Sequence, residues 1–132
     1  MTARSKESGL KYATNVLQDQ CQSVLIFWLG FRPLKMEELT ELLSDVPKEE
    51  LVSKLHALQN LRVVNPICDK ADCYSLTEDG DQLRRLMISV SVWGVQQQDE
   101  NADRQSMFVI EPELDASIKD LVKYRQTVEK YL

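Results

Sequence analysis

Ser53, Lys54 and His56 fall inside a stretch, residues 48–60, whose Leu51, Leu55 and Leu58 recur at helical spacing. An advance of 100° per residue turns Glu49, Ser53, His56 and Asn60 away from those leucines, with Glu50 and Lys54 at the flanks. Hydroxyl, imidazole and carboxamide groups on one helix face can hydrogen-bond to base edges, and Lys48, Lys54, Arg62 and Lys70 are cations suited to phosphate. Cys68 and Cys73 flank four residues and would face each other across a hairpin, near bonding distance for a redox switch; small-residue packing and idle thiols are the plainer reading. No nucleophile stands beside a base, no carboxylates cluster beyond solvated acids, and no glycine-rich phosphate loop is present, so no enzymatic activity is expected. With one histidine and cysteines spaced unlike a zinc knuckle, neither metal nor cofactor is expected.

The elements that must position these residues follow from local pattern. Residues 10–29 make one long helical pattern, apolar all round from Val24 to Leu29, as in a helix buried on several sides. Gly30 and Pro33 stop it, and residues 35–43 restart a short amphipathic helix on Met36, Leu39, Leu42 and Leu43. Ser44, Asp45, Val46 and Pro47 connect it tightly to the 48–60 helix, with Pro47 at an early helix position. The β-branched run 61–68, a polar loop at 69–72 and the return 73–76 read as a two-stranded hairpin.

At Thr77 a strand hands over to a helix. Thr77 is placed to accept from a free N–H of the first turn, and Glu78, Asp79 and Asp81 put negative charge at the positive end of the dipole. Leu83, Leu86, Met87, Val90 and Trp93 then recur at helical spacing, and Gly94 suits a helix end. Residues 96–111 read as a polar linker, with a brief extended piece at 107–110, and a final helix from Pro112 to Leu132 carries Leu114, Ile118, Leu121, Val122 and Val128 as a stripe. The order is helix, turn, helix, hairpin, helix: a mainly α (α+β) winged helix-turn-helix with a two-stranded wing and extra N- and C-terminal helices. Its 10–95 core, 96–111 linker and 112–132 helix are expected to form one domain over 1–132.

Composition sets the remaining bounds. The 132 residues carry a net charge of −5, divided as 11 basic and 13 acidic side chains in 1–95 and 5 and 8 in 96–132. The helix-turn-helix half is therefore near neutral, which is unfavourable for binding a polyanion. No apolar run approaches the roughly 20 residues of a bilayer span, and the first ten residues lack a signal peptide's apolar stretch. Three cysteines, an odd number, suit reduced thiols; the expectation is a cytoplasmic protein without membrane contact.

From about Cys21 to Gly94 the chain resembles the HxlR-type transcriptional regulators, relatives of the MarR group. Leu25, Pro33 and the Met36–Leu39 turn carry the likeness, with Val46, Leu51, Leu55 and Leu58. Most specific are Tyr74, Ser75, Leu76, Thr77, Gly80 and Leu83, followed by Trp93 and Gly94. The resemblance implies a homodimer held by terminal helices, here the stripe Leu114, Ile118, Leu121, Val122 and Val128, with a helix from each subunit in successive major grooves of double-stranded DNA. Where the family usually shows Lys or Arg, this chain has Glu49 and His56. Two readings follow. In one, a dimeric regulator uses Ser53, Lys54 and His56 in the groove, Lys48 and Arg62 on phosphates and Lys70 at the wing, with Arg32 and Lys35 as further phosphate contacts. In the other, the fold is a protein-binding adaptor that has lost its basic surface.

Overall fold

The N-terminal stretch that periodicity joins into one helix is two. In the computed structural model, which describes residues 8–67, 72–98 and 112–132, helix α1 (Gly9–Leu17) and helix α2 (Gln20–Leu29) meet at Asp19. Asp19 has extended backbone, and its Oδ1 accepts from the Gln22 N–H at 3.0 Å, capping α2. The Ser23 hydroxyl donates to the Leu17 carbonyl at 2.6 Å, which satisfies an α1 end group that the break exposes. Separating the two lets α2 enter the core on its own axis, where Leu25, Ile26, Phe27, Trp28 and Leu29 are all buried.

A two-residue strand, β1 (Leu34–Lys35), comes next and was not expected from the sequence. Helix α3 (Met36–Leu42), helix α4 (Lys48–Asn60), and strands β2 (Val64–Pro66) and β3 (Cys73–Leu76) follow. The sheet order is β1-β3-β2, antiparallel throughout, with Leu34 opposite Tyr74 and Asn65 opposite Ser75. The two-stranded wing thus gains a third strand at its base, which ties the turn before α3 to the hairpin.

Helix α5 (Glu78–Gln98) begins where Thr77 predicts. The Thr77 hydroxyl accepts from the Gly80 N–H at 2.9 Å and donates to the Arg62 carbonyl at 2.7 Å. Gly80 is required here by close approach: a Cβ would stand 2.2 Å from the Val63 carbonyl oxygen. This gives the Thr77 and Gly80 spacing its physical meaning, since both residues weld α5 to the segment leaving α4. At its other end α5 overruns the expectation. Gly94 lies inside the helix, and Gln96, Gln97 and Gln98, expected in the linker, form its last turn. The extended piece expected at 107–110 lies outside the described residues.

The single C-terminal helix is also corrected. Ser117 opens α6 (Ile118–Val122) in a reciprocal cap with Asp120, and α7 (Arg125–Tyr131) follows a turn at Lys123 and Tyr124. Residues ahead of α6 are held by tertiary bonds: the Glu113 N–H donates to the Phe31 carbonyl at 2.9 Å, and Arg32 Nε donates to the Ala116 carbonyl at 2.6 Å. Tyr124 stacks on Phe31 with centroids 5.7 Å apart and an 8° interplanar angle. The helical pattern yields to docking onto the end of α2. Three-stranded wing, helix-turn-helix and flanking helices together make a winged helix-turn-helix.

Candidate nucleic-acid interface

Helix α4 is the element that would enter a groove, and its ends are well defined. Pro47 at the N-cap pre-sets the entering chain, while Glu49 and Glu50 sit favourably in the first turn of the dipole. At the far end the Val63 N–H donates to the Leu58 carbonyl at 2.9 Å, a Schellman closure that places Arg62 in the left-handed region at φ 63°. Leu51, Leu55 and Leu58 are all buried, which fixes the rotation of the helix. Its outward face consists of Glu49, Val52, Ser53, His56 and Asn60, all exposed. Val52, 37% exposed, was missed from sequence because an apolar residue beside a leucine stripe is read as core.

The expected contact residues divide. Lys48, Ser53, His56 and Arg62 are exposed around one helix, whereas Lys70 lies outside the described residues. Lys54 departs from the expectation: its Nζ forms an ion pair with Asp19 Oδ2, at the cap of α2. The reason is position, because Lys54 stands at the flank of the leucine stripe, where α4 packs on α2. The Asp19 hydrogen bond raises the Lys54 pKa. For Asp19, burial acts upward, but the Lys54 bond and the Gln22 N–H outweigh it and hold the carboxyl below its usual range. Arg32 is likewise engaged, through Glu38 at 2.9 Å and the Ala116 carbonyl, so it serves the α2–α6 junction. Lys35 remains exposed.

Of the two wing cysteines only Cys73 is among the described residues. Pairing of Pro66 with Tyr74 brings Ile67 to Cys73, and the Ile67 N–H donates to the Cys73 carbonyl at 2.8 Å. Cys73 is buried, and Cys68 lies outside the described residues. Half-buried Cys21 has its thiol pushed up to about 11, by burial first and then by Glu50 and Asp19, so it is held as an unreactive thiol. Among the described residues no group of three or more His, Cys, Asp or Glu is placed to hold a metal ion.

The stripe assigned to dimerisation is largely enclosed within the chain. Leu121 and Val128 are buried in the core, Ile118 and Val122 pack against it, and Leu114 stands exposed ahead of α6. Among the described residues a group of large apolar side chains left open lies on α5, where Leu86, Val90 and Trp93 are 63%, 65% and 64% exposed. Helix α5 is rotated so that Arg84, Met87 and Ile88 face the core. Arg84 is fully buried: its Nε donates to the Phe27 carbonyl at 2.9 Å, and its guanidinium lies 4.9 and 5.1 Å from the ring centres of Phe27 and Phe31. Burial pushes its pKa down to about 10, with Asp81 opposing and Arg85 adding to the fall, and it remains a cation at the negative end of α2. Gly30 makes room for it, since a Cβ there would stand 2.0 Å from Arg84 Nε. A buried arginine on an apolar-patterned helix has no signature in the sequence, and it is what sends the leucine stripe outward.

No helix among the described residues is long and apolar enough to cross a membrane. A protein-family model described as HxlR-like helix-turn-helix matches residues 16–102. No curated protein and no solved structure matches the chain.

Proposed function

Because the chain belongs to the HxlR-like helix-turn-helix family, a family of DNA-binding transcription regulators rather than enzymes, we propose that it acts as a homodimer with α4 of each subunit in the major groove. The outward face of α4 carries this reading. Ser53, His56 and Asn60 would meet base edges, and Val52 would lie against thymine methyls. Lys48 and Arg62, at opposite ends of the helix, would hold phosphates, with Lys70 extending the contact from the wing. Arg62, set at φ 63° by the Schellman closure of α4, leaves the helix with its side chain exposed.

For the dimer contact the open α5 stripe is the better candidate than the C-terminal one. Leu86, Val90 and Trp93 are spaced four and three apart on one face, and Gly94 beside them has open space where a Cβ would be. A second copy covering this face would make the two-fold contact, and a DNA-reading dimer needs its two α4 helices about 34 Å apart.

The test is fluorescence anisotropy with a random-sequence duplex at low salt, repeated as salt rises. Affinity is expected to fall steeply with salt, and Arg62→Ala to lower the slope of log K against log salt by about 1. His56→Ala should weaken a selected operator more than random duplex. Absence of any duplex binding at low salt would remove the reading and leave the protein-binding adaptor in its place.

A further inference from the structure

Helix α4 carries two acids in its first turn, Glu49 and Glu50, and their surroundings differ. Glu50 has Lys54 four residues on and stands near enough to Lys54 and Cys21 to act on both. Glu49 has Val52 and Ser53 at the corresponding spacing, so the helix offers it no cation, and it has no ion-pair partner among the described residues. Its side chain is exposed and in line with Ser53 and His56, because positions four and seven residues on return to within about 40° of it. The inner side of α4 lies against α2 and β2, and this outer side is left open. The N-terminal residues of a groove-entering helix are those that reach base edges. Docking of α4 therefore sets an unpaired carboxylate against the floor of the major groove, where phosphates repel it and only a donor on a base edge compensates it.

Two bases present a donor in that groove, cytosine through its N4 amine and adenine through its N6 amine. Adenine's donor lies beside N7, an acceptor that repels the second carboxylate oxygen, whereas cytosine's lies beside a carbon-bound hydrogen. A carboxylate therefore favours cytosine. We infer that Glu49 is a specificity-determining residue of α4, its carboxylate accepting from the N4 amine of a cytosine in each operator half-site; this rests on the regulator function proposed above. The same charge weakens contact with every sequence that lacks the cytosine, so discrimination rises while general affinity falls. A role for Glu49 in the helix dipole alone predicts a change in stability and none in base preference.

The experiment enriches duplexes from a random-sequence pool with the full chain and with two variants of this exposed position, Glu49→Gln and Glu49→Ala. The parent should enrich a cytosine at one position of each half-site. A glutamine carboxamide both donates and accepts, matching adenine N7 and N6, so Glu49→Gln should move the preference at that position to adenine. Glu49→Ala should erase the preference there and bind random duplex about threefold more tightly, having lost a charge that opposes phosphate. A further measurement needs no variant: N4-methylcytosine keeps its pairing hydrogen but loses the one in the groove, and at that position it should weaken parent binding about tenfold. Enrichment of no sequence by the parent would remove the regulator reading and this role with it. An enriched operator with the same base preferences in all three proteins, or full affinity for the N4-methylated duplex, would overturn the role of Glu49 and leave the regulator reading standing.

Discussion

Leu121 and Val128 near the C-terminus lie buried in the core, whereas Leu86, Val90 and Trp93 on α5, spaced in the same helical manner, stay about two-thirds exposed. Both sets read alike in one dimension. What separates them is the partner each finds. The C-terminal residues are drawn in by the Glu113 N–H bond to the Phe31 carbonyl, by the Arg32 bond to the Ala116 carbonyl and by Tyr124 stacking on Phe31. On α5 the inward position is taken by Arg84, held by the Phe27 carbonyl and two aromatic rings, and the leucine stripe is left on the far side. Periodicity reports that a face is apolar; the neighbours decide whether it closes this chain or is left for another.

The comparison can be broken most directly at Leu121. Leu121→Ala is expected to lower unfolding free energy by about 2–5 kcal/mol in urea titrations, because it opens a cavity in the protomer's core. A variant that dissociated a dimer yet kept its stability would return the C-terminal stripe to the interface. The converse change is Leu86→Lys with Trp93→Glu, which should give monomers by sedimentation velocity with an unchanged far-UV spectrum. An intact dimer would place the contact elsewhere. Gly94→Ala refines the same point: inside α5, with space for its methyl, it should stabilise the monomer by about 1 kcal/mol while weakening association.

The smallest effect is expected in acid. Asp19 and Glu38 have folded-state pKa values below their ordinary ones, Glu38 because the Arg32 bond and the Lys35 N–H outweigh its burial. A depressed carboxyl pKa contributes stability that is complete above the unfolded value, about 4, and is lost as pH falls through the lower folded value. Denaturation midpoints followed from pH 5 to pH 2 should therefore decline, and Asp19→Asn should flatten part of that decline. An unchanged slope would mean the Asp19 pair with Lys54 does little for the α2–α4 contact.

Much of the candidate site is legible because it is local. Pro47, the three leucines of α4, the hairpin and the Thr77 cap each act within a few residues, and the family resemblance rests on the same segments. The α1–α2 break had a local signal as well, an Asp19 followed three residues later by Gln22, but it was overridden by the apolar run behind it. The Lys54 ion pair was not legible because Asp19 lies 35 residues away, and β1 is too short for any pattern. Loop symmetry sets Cys68 opposite Cys73, whereas the described register puts Ile67 at Cys73, and a shift of one residue is enough to change which side chains meet.

The residue order alone was sufficient for the helix-turn-helix, the wing and the polar face of α4, since caps, turns and apolar periodicity are properties of neighbours along the chain. Only the tertiary structure could decide which apolar face stays open and which cation is held by Asp19. Those outcomes depend on groups far apart in sequence, whose desolvation and pairing energies exist only once the core has brought them together.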